Sequence, residues 1–191
     1  MRNIVFAALG AALLATPVAA APQAYTLDAS HSQIVFSYNH LGFSSTYGMF
    51  SGFNGDIIFD QDDPANSSVS VSFPVTSMFT GWERRDQHLL SPDFFGAVAD
   101  QTVRFTSTAV EVTGENTALI TGDLTLNEIT LPVVLDAKLN GAGDHPMAGK
   151  PWLGFDATTT LSRGDFGVAR FAPFIGDAVE IVISVEAAAA D

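Results

Sequence analysis

The 191-residue sequence contains no cysteine, so disulfide bonds contribute nothing to its stability. Basic residues are also scarce: eight lysines and arginines oppose 21 aspartates and glutamates, for a formal net charge of −13. A chain with this charge is repelled by phosphate backbones and by anionic membrane surfaces. This composition argues against nucleic-acid binding and predicts a well-solvated acidic surface.

Sequence motifs that carry catalysis are missing as well. The sequence has no G-x-S-x-G elbow, no H-E-x-x-H pair and no Walker loop. The four histidines (His31, His40, His88 and His145) lack the spacing of metal ligands. We therefore predict no catalytic residues, no metal and no cofactor, and we expect a protein that is not an enzyme.

Long apolar runs are confined to the N-terminus. Arg2 precedes the apolar stretch 4–14, and small residues follow at 18–21, which is the order of features in a secretory signal peptide. The apolar stretch is shorter than the roughly 20 residues needed to cross a bilayer. We expect residues 1–20 to be the signal peptide. Residues 21–191 then form one periplasmic domain without a transmembrane segment.

Alternation of apolar and polar residues dominates the rest of the chain. Such alternation is typical of half-buried antiparallel strands. It predicts about eight strands, at 34–40, 50–60, 69–75, 103–112, 118–126, 129–139, 153–161 and 179–185. Turn-forming residues at 62–64, 114–116 and 141–144 predict loops between them.

One stretch, residues 81–97, has a helical composition instead. We predict two short helices there, with Ser91 as the cap and Pro92 as the first residue of the second helix. Many strands with a single helical insertion predict an all-β fold. The expected form is an eight-stranded antiparallel barrel with a short helical insertion.

Phenylalanine is abundant, with 15 residues against three tyrosines and two tryptophans. One sheet face cannot hide so many rings, so they either pack two sheets together or line a lumen. An eight-stranded barrel leaves an interior that can hold one small ligand.

Several short motifs resemble those of the YceI-like family. They are Tyr25-Thr26-Leu27-Asp28 with His31-Ser32, Phe53-Asn54-Gly55, Arg85-Asp86-Gln87-His88-Leu89, Asp93-Phe94-Phe95, Thr121 to Leu126 and Asp165-Phe166-Gly167. These motifs span nearly the whole chain after the signal peptide, in the family's order. The resemblance implies a periplasmic, lipocalin-like barrel associated with polyisoprenoid binding. It also implies an apolar tunnel for a prenyl chain or quinone tail, with the head group near the opening.

The candidate lipid-binding residues combine apolar side chains for the lumen with polar ones for its opening. They are Phe36, Tyr38, His40, Phe50, Phe53, Met78, Arg84, His88, Leu89, Phe94, Phe95, Phe105 and Phe166. His40 shares a strand face with Phe36 and Tyr38, so it is either a head-group contact or a core histidine with a backbone partner.

The paired arginines allow two interpretations. Arg84 and Arg85 could donate to a pyrophosphate or a quinone oxygen, because guanidinium is a forked donor. Alternatively, Arg85 and Asp86 attach the helical insertion to the barrel through ion pairs. We expect Arg163 and Asp165 to form a similar structural pair.

We therefore predict periplasmic binding, sequestration or transport of a long-chain isoprenoid lipid, either a polyprenyl compound or an isoprenoid quinone. One alternative is a barrel enzyme that acts on a bound lipid with His40 or His88 as the base. Another is a stress-related structural protein with a partner-binding surface, whose filled core would contain no elongated pocket. The sequence is compatible with a homodimer.

Overall fold

The computed structural model describes residues 21–190, so the proposed signal peptide lies outside the described residues. The strands are β1 (Gln23–Leu27), β2 (Gln33–His40), β3 (Ser44–Phe50), β4 (Asn54–Phe59), β5 (Ser68–Pro74), β6 (Thr102–Val112), β7 (Thr117–Leu126), β8 (Ile129–Asp144), β9 (Pro151–Ser162) and β10 (Ile175–Ala189). One α-helix, α1 (Glu83–Leu90), lies between β5 and β6. Short 3₁₀ helices cover Ala29–His31, Pro64–Asn66 and Val75–Ser77.

Eight of these strands close into an antiparallel ring. The ring runs β1-β4-β5-β6-β7-β8-β9-β10 and returns to β1, where Tyr25 pairs with Ala189. In the β2–β3 hairpin, β2 pairs with β10 from Ile175 to Ser184, while β1 pairs with the last residues of β10. β1 and β2 thus act as one bent strand along β10. The eight-stranded antiparallel barrel with a short helix is confirmed.

Three details of the sequence prediction are wrong. The predicted strand 50–60 is interrupted at residues 51–53, where Gly52 has a positive φ of 74° and ends β3. Residues 141–144 are not a loop but extend β8, which continues past a bulge between Leu139 and Gly141 to pair with β9. β1 was not predicted as a strand at all.

A fourth error concerns the helical insertion, which holds one α-helix instead of two. Ser91 ends α1 rather than starting a second helix: its backbone N–H and its hydroxyl both donate to the His88 carbonyl, at 3.1 and 2.7 Å. Residues 92–95 form turns, with the Phe94 N–H donating to the Ser91 carbonyl at 3.0 Å. The Ser91 hydroxyl also accepts from the Asp93 N–H at 3.3 Å, as a cap would, but only turns follow it.

Hydrogen bonds to Thr80 attach α1 to the barrel. The Arg85 Nε donates to the Thr80 hydroxyl at 2.8 Å, and its Nη2 donates to the Thr80 carbonyl at 2.6 Å. The Asp86 carboxylate accepts from the Thr80 N–H at 2.9 Å. Thr80 follows Phe79, which forms a β-bridge with Met49 of β3. Arg85 and Asp86 thus fix the insertion as expected, but through a shared threonine.

A capped turn lies beside the seam where β1 meets β10. The Asp28 N–H donates to the Glu186 carbonyl of β10 at 2.8 Å, and the Asp28 carboxylate accepts from the Ser30 N–H at 2.9 Å. His31 Nδ1 lies 2.7 Å from the same carboxylate. The hydrogen bond with His31, followed by that from the Ser30 hydroxyl at 2.6 Å, lowers the pKa of Asp28 to about 2. The Asp28 carboxylate in turn raises the pKa of His31.

We expect Asp28→Asn to abolish the raised pKa of His31, because asparagine keeps the cap but removes the charge. The stabilisation from Asp28 is present above its ordinary pKa and is lost as pH falls toward 2. The stabilisation from protonated His31 is present below its ordinary pKa of 6.5 and is lost as pH rises through the raised value. The stability difference between parent and variant should therefore be largest between about pH 4 and 6.

An NMR titration of the His31 ring and urea unfolding at several pH values would measure both effects. Ser30→Ala is the matched control, because it removes a hydroxyl and keeps the carboxylate, so the His31 pKa should stay raised. An unchanged His31 pKa in Asp28→Asn would contradict this account of the turn.

Among residues 21–190, no helix has the length and hydropathy of a membrane-spanning segment.

Candidate functional site: an apolar cavity along the barrel

The barrel encloses a cavity of about 550 Å³. At one end its lining includes His88 of α1 and Phe171 of the β9–β10 loop, and we call this end the mouth. At the other end it reaches Ser67, before β5, and Asn116 of the β6–β7 turn. The cavity therefore extends along the barrel between its two ends. The filled core that we expected of a structural protein is therefore wrong for residues 21–190, which enclose this space instead.

Strand alternation supplies the cavity wall. On β10 the odd-numbered residues Ile181, Ile183 and Val185 line the cavity, and on β9 Phe155, Ala157 and Thr159 do the same. Successive side chains of a strand point to opposite faces, so every second residue faces the interior. Their neighbours along the chain, such as Glu180 of β10, are exposed and absent from the lining. Asp156 of β9 is an exception, because it also borders the cavity.

One irregularity in β6 changes which residues point inward. A bulge lies between Ser107 and Ala109, and it shifts the pairing with β7 by one residue. Phe105 lines the cavity before the bulge, and Val110 and Val112 line it afterwards. A bulge inserts one unpaired residue, so the inward positions change from odd to even numbers along this strand.

Twelve of the thirteen residues proposed from the sequence line this cavity. They are Phe36, Tyr38, His40, Phe50, Phe53, Met78, His88, Leu89, Phe94, Phe95, Phe105 and Phe166. Arg84 is the exception: it is exposed on α1, and its neighbour Arg85 lines the cavity instead. Adjacent residues of a helix point about 100° apart, so two neighbouring arginines cannot both face one opening.

Sequence reasoning missed many aliphatic residues of the later strands. Leu135, Leu139, Ile181, Ile183 and Val185 all line the cavity. Their alternation was visible in the sequence, but the pattern alone does not say which face of a strand lies inside. Trp82 was also missed, although it lies next to the predicted arginines.

Polar groups gather at the mouth. His40, at the end of β2, is exposed and lines the cavity. His88 Nε2 lies 3.0 Å from the Asp93 carboxylate, and its ring meets Phe94 edge-on at 5.2 Å between centroids. Arg85 is oriented by Thr80. An oxygen-bearing group at this opening would meet nitrogen donors from both β2 and α1.

Arg163 is also in the lining, but it has a structural task. Its Nε and Nη2 donate to the carbonyls of Gly176 and Ile175 at 2.8 and 2.9 Å. Its Nη1 donates to the carbonyls of Val168 and Arg170. The predicted pairing of Arg163 with Asp165 is wrong, because the guanidinium is taken up by backbone carbonyls of the β9–β10 loop and of β10.

The histidines do not gather at one point in the described part of the chain. Asp28, His31 and Glu186 offer metal-ligating atoms within 4.8 Å of one another, but they lie at the seam, away from the cavity lining. Asp28 and His31 bond to each other there, which accounts for the cluster as part of the capped turn.

The fold and the cavity together define a class of protein: a closed, lipocalin-like antiparallel barrel with a large apolar interior. The chain belongs to the YceI-like family, because residues 25–187 match the family's YceI-like domain.

Known proteins similar to this chain agree with that assignment. A UPF0312 protein from Ectopseudomonas mendocina is 41% identical over 178 residues, which cover 93% of each chain. The crystal structure of a Campylobacter jejuni YceI protein superposes with a TM-score of 0.72 at 28% identity, covering 80% of this chain and 90% of that one. A polyisoprenoid binding domain from Saccharophagus degradans has a TM-score of 0.63 at 14% identity, covering 88% and 99%, and shares the fold.

Proposed function

We propose that the protein binds a long-chain isoprenoid lipid, a polyprenyl compound or an isoprenoid quinone, inside its barrel, and shields or carries it through the periplasm. The observation that carries this proposal is the cavity of about 550 Å³ that extends between the two ends of the barrel and is walled mainly by apolar side chains. The polyisoprenoid binding domain from Saccharophagus degradans has the same fold, which supports this ligand class.

The apolar wall is sufficient to hold such a chain. Burial of each CH₂ group contributes about 0.8 kcal/mol. An isoprene unit has about five carbons, so a few units exceed the ~8 kcal/mol of a micromolar complex even after association costs. A prenyl chain cannot cross an aqueous compartment unshielded, and the barrel supplies the shield.

The mouth is the proposed position of the head group. His40, Arg85 and His88 line the cavity there. We expect His40→Ala to weaken binding of a long-chain prenyl alcohol about two- to tenfold, the value of one hydrogen bond. Binding of the hydrocarbon of the same length should be unchanged, because it has no head group. Competition with a fluorescent lipid would measure both affinities.

Ser37→Ala is the control for that variant, since Ser37 lies on the same strand and is not in the cavity lining. An equal loss of the alcohol and the hydrocarbon would contradict the head-group position, because it would indicate a damaged wall.

Native mass spectrometry of protein purified from its own host without detergent would test the proposal as a whole. A bound mass in the prenyl or quinone range is the expected result and would name the ligand. Protein without bound lipid, which also fails to take up added prenyl alcohol, would contradict it.

Recovery of the mature chain from the periplasm, beginning at residue 21, would test the signal peptide and the location. Turnover of a bound lipid would contradict the binding role that we infer.

A further inference from the structure

Six large apolar side chains are exposed at the mouth end of the barrel. They are Leu41, Phe43, Phe79, Trp82, Phe171 and Phe174, and we call them the apolar rim. Phe43 and Phe174 expose 90% and 75% of their surface. Exposed apolar patches larger than a few hundred Å² are rare on monomeric proteins and mark contact surfaces.

The segments that carry the rim contact one another. The Leu41 N–H, in the β2–β3 turn, donates to the Phe174 carbonyl of the β9–β10 loop at 3.2 Å. Phe79 exchanges two hydrogen bonds of 2.9 Å with Met49 of β3. The rim residues thus lie on neighbouring loops around one opening.

The rim is continuous with the cavity wall. Trp82 and Phe171 belong to the rim and also line the cavity. The Phe171 ring lies 6.1 Å from that of Phe94, which is on the insertion and also lines the cavity. An apolar surface therefore runs unbroken from the outside of the mouth into the barrel.

The backbone conformation of two rim residues is a second observation that indicates a contact surface. Leu41 and Phe171 have φ values of 60° and 65°, in the left-handed region. Glycine is favoured in this region, and a larger residue there costs about 1–2 kcal/mol. Folding alone would favour glycine at both turns. The exposed Leu41 and Phe171 side chains are thus present at an energetic cost, as expected for residues that serve a contact.

The segments that carry the rim have less net charge than the rest of the molecule. The segments 41–43, 79–95 and 163–175 contain four arginines and four acidic residues, so their net charge is zero. The remainder of residues 21–190 contains three basic and sixteen acidic residues. Two of these sixteen, Asp100 and Glu128, lie on connections at the same end, so this end carries a net charge of −2 and the rest of residues 21–190 a net charge of −11.

We propose that the apolar rim docks onto a zwitterionic lipid bilayer, with the mouth of the cavity against the membrane. Aromatic side chains favour the interface between headgroups and acyl chains. The neutral segments that carry the rim match a surface without net charge, whereas the acidic walls are repelled by anionic lipid. From this position an apolar chain passes between bilayer and cavity without crossing water. This transfer of a chain rests on the proposed function, but the docking of the rim on the bilayer does not.

The two tryptophans allow a direct test. Trp152→Phe leaves Trp82 as the single tryptophan, and Trp82 lies on the rim. With phosphatidylcholine vesicles, we expect its fluorescence to shift to shorter wavelength, to be quenched by lipids with a spin label in the acyl chain, and the protein to float with the vesicles.

Two rim residues outside the cavity lining provide the variant. In the same background, Phe43→Ser with Phe174→Ser should weaken vesicle binding at least about tenfold, because two apolar rings no longer enter the membrane interface. Met147→Ser is the matched control, because Met147 is 89% exposed in the β8–β9 loop at the opposite end. Uptake of a fluorescent prenyl probe should be unchanged in the double variant.

Four outcomes would overturn the docking proposal. They are no binding to phosphatidylcholine vesicles, undiminished binding by the double variant, tighter binding to phosphatidylglycerol vesicles, and a dimer that the double variant dissociates while no vesicles are bound. The last outcome would mean that a second copy covers the rim. Vesicle binding without any lipid uptake would overturn the proposed function alone and leave the docking in place.

Discussion

Replacing Ala137 by phenylalanine is expected to weaken lipid binding roughly 100-fold while the barrel stays folded. Ala137 lines the cavity and pairs with Ala118 on one side and Ala157 on the other, so three small residues lie side by side on the wall. A phenyl ring at the centre of this row takes the space of roughly four methylene groups of a bound chain, each worth about 0.8 kcal/mol. The lost burial amounts to about 3 kcal/mol.

Displacement of a fluorescent prenyl probe would measure the affinity, and thermal unfolding followed by circular dichroism would monitor the fold. Ala109→Phe is the matched control, because Ala109 is exposed on β6 and adds the same ring to the outer face. It should bind lipid like the parent. Full-strength binding by a folded Ala137→Phe protein would show that the ligand does not occupy the barrel.

The substitution Gly55→Ala is expected to destabilise the protein by about 3–5 kcal/mol, which combines the cost of overpacking with that of an unfavourable backbone conformation. Gly55 has a φ of 154°, and a Cβ atom there would lie 2.1 Å from the Ser70 carbonyl oxygen and 2.8 Å from the Val71 Cα. Both atoms belong to the backbone of β5, so no side-chain rotation relieves the clash. The β4–β5 pairing must open instead.

Urea unfolding followed by tryptophan fluorescence would measure the loss. Gly141→Ala is the control, since a Cβ atom at Gly141 in β8 meets nothing within 4 Å. Gly141→Ala should change the free energy of unfolding by no more than about 0.5 kcal/mol. Equal stability of the two variants would contradict the close approach of β4 and β5.

Strands were predictable from the sequence where alternation continues over seven or more residues, as in β5 and β10. β1 has five residues, which is too short for the pattern to stand out. β3 contains Gly48, where a Cβ atom would lie 2.2 Å from the Phe36 ring. Glycine breaks the sequence pattern there, but it makes room for a ring from the neighbouring strand, and this contact cannot be read along the chain.

The types of residue in the candidate site were more predictable than the directions in which their side chains point. The aromatic residues of the lining follow from composition and alternation together with the family resemblance. The choice of Arg85 over Arg84 depends on where α1 begins, and the inward position of Val110 depends on the bulge in β6. Closure of the ring determines which face of each strand lies inside, and that closure is set by pairings far apart in sequence.

The pairing of β10 with three other strands has a consequence for the rate of folding. β10 pairs with β9, with β2 and with β1, and it joins Tyr25 to Ala189 across most of the chain. Contacts between residues so distant in sequence form late, because closing the long loop between them costs entropy before any contact is gained. We therefore expect the interior to form late in folding. A chain that is still folding offers its apolar strand faces to any lipid nearby, so a protein folding beside lipid is able to acquire its first ligand as the ring closes. Later exchange must use an end of the finished barrel.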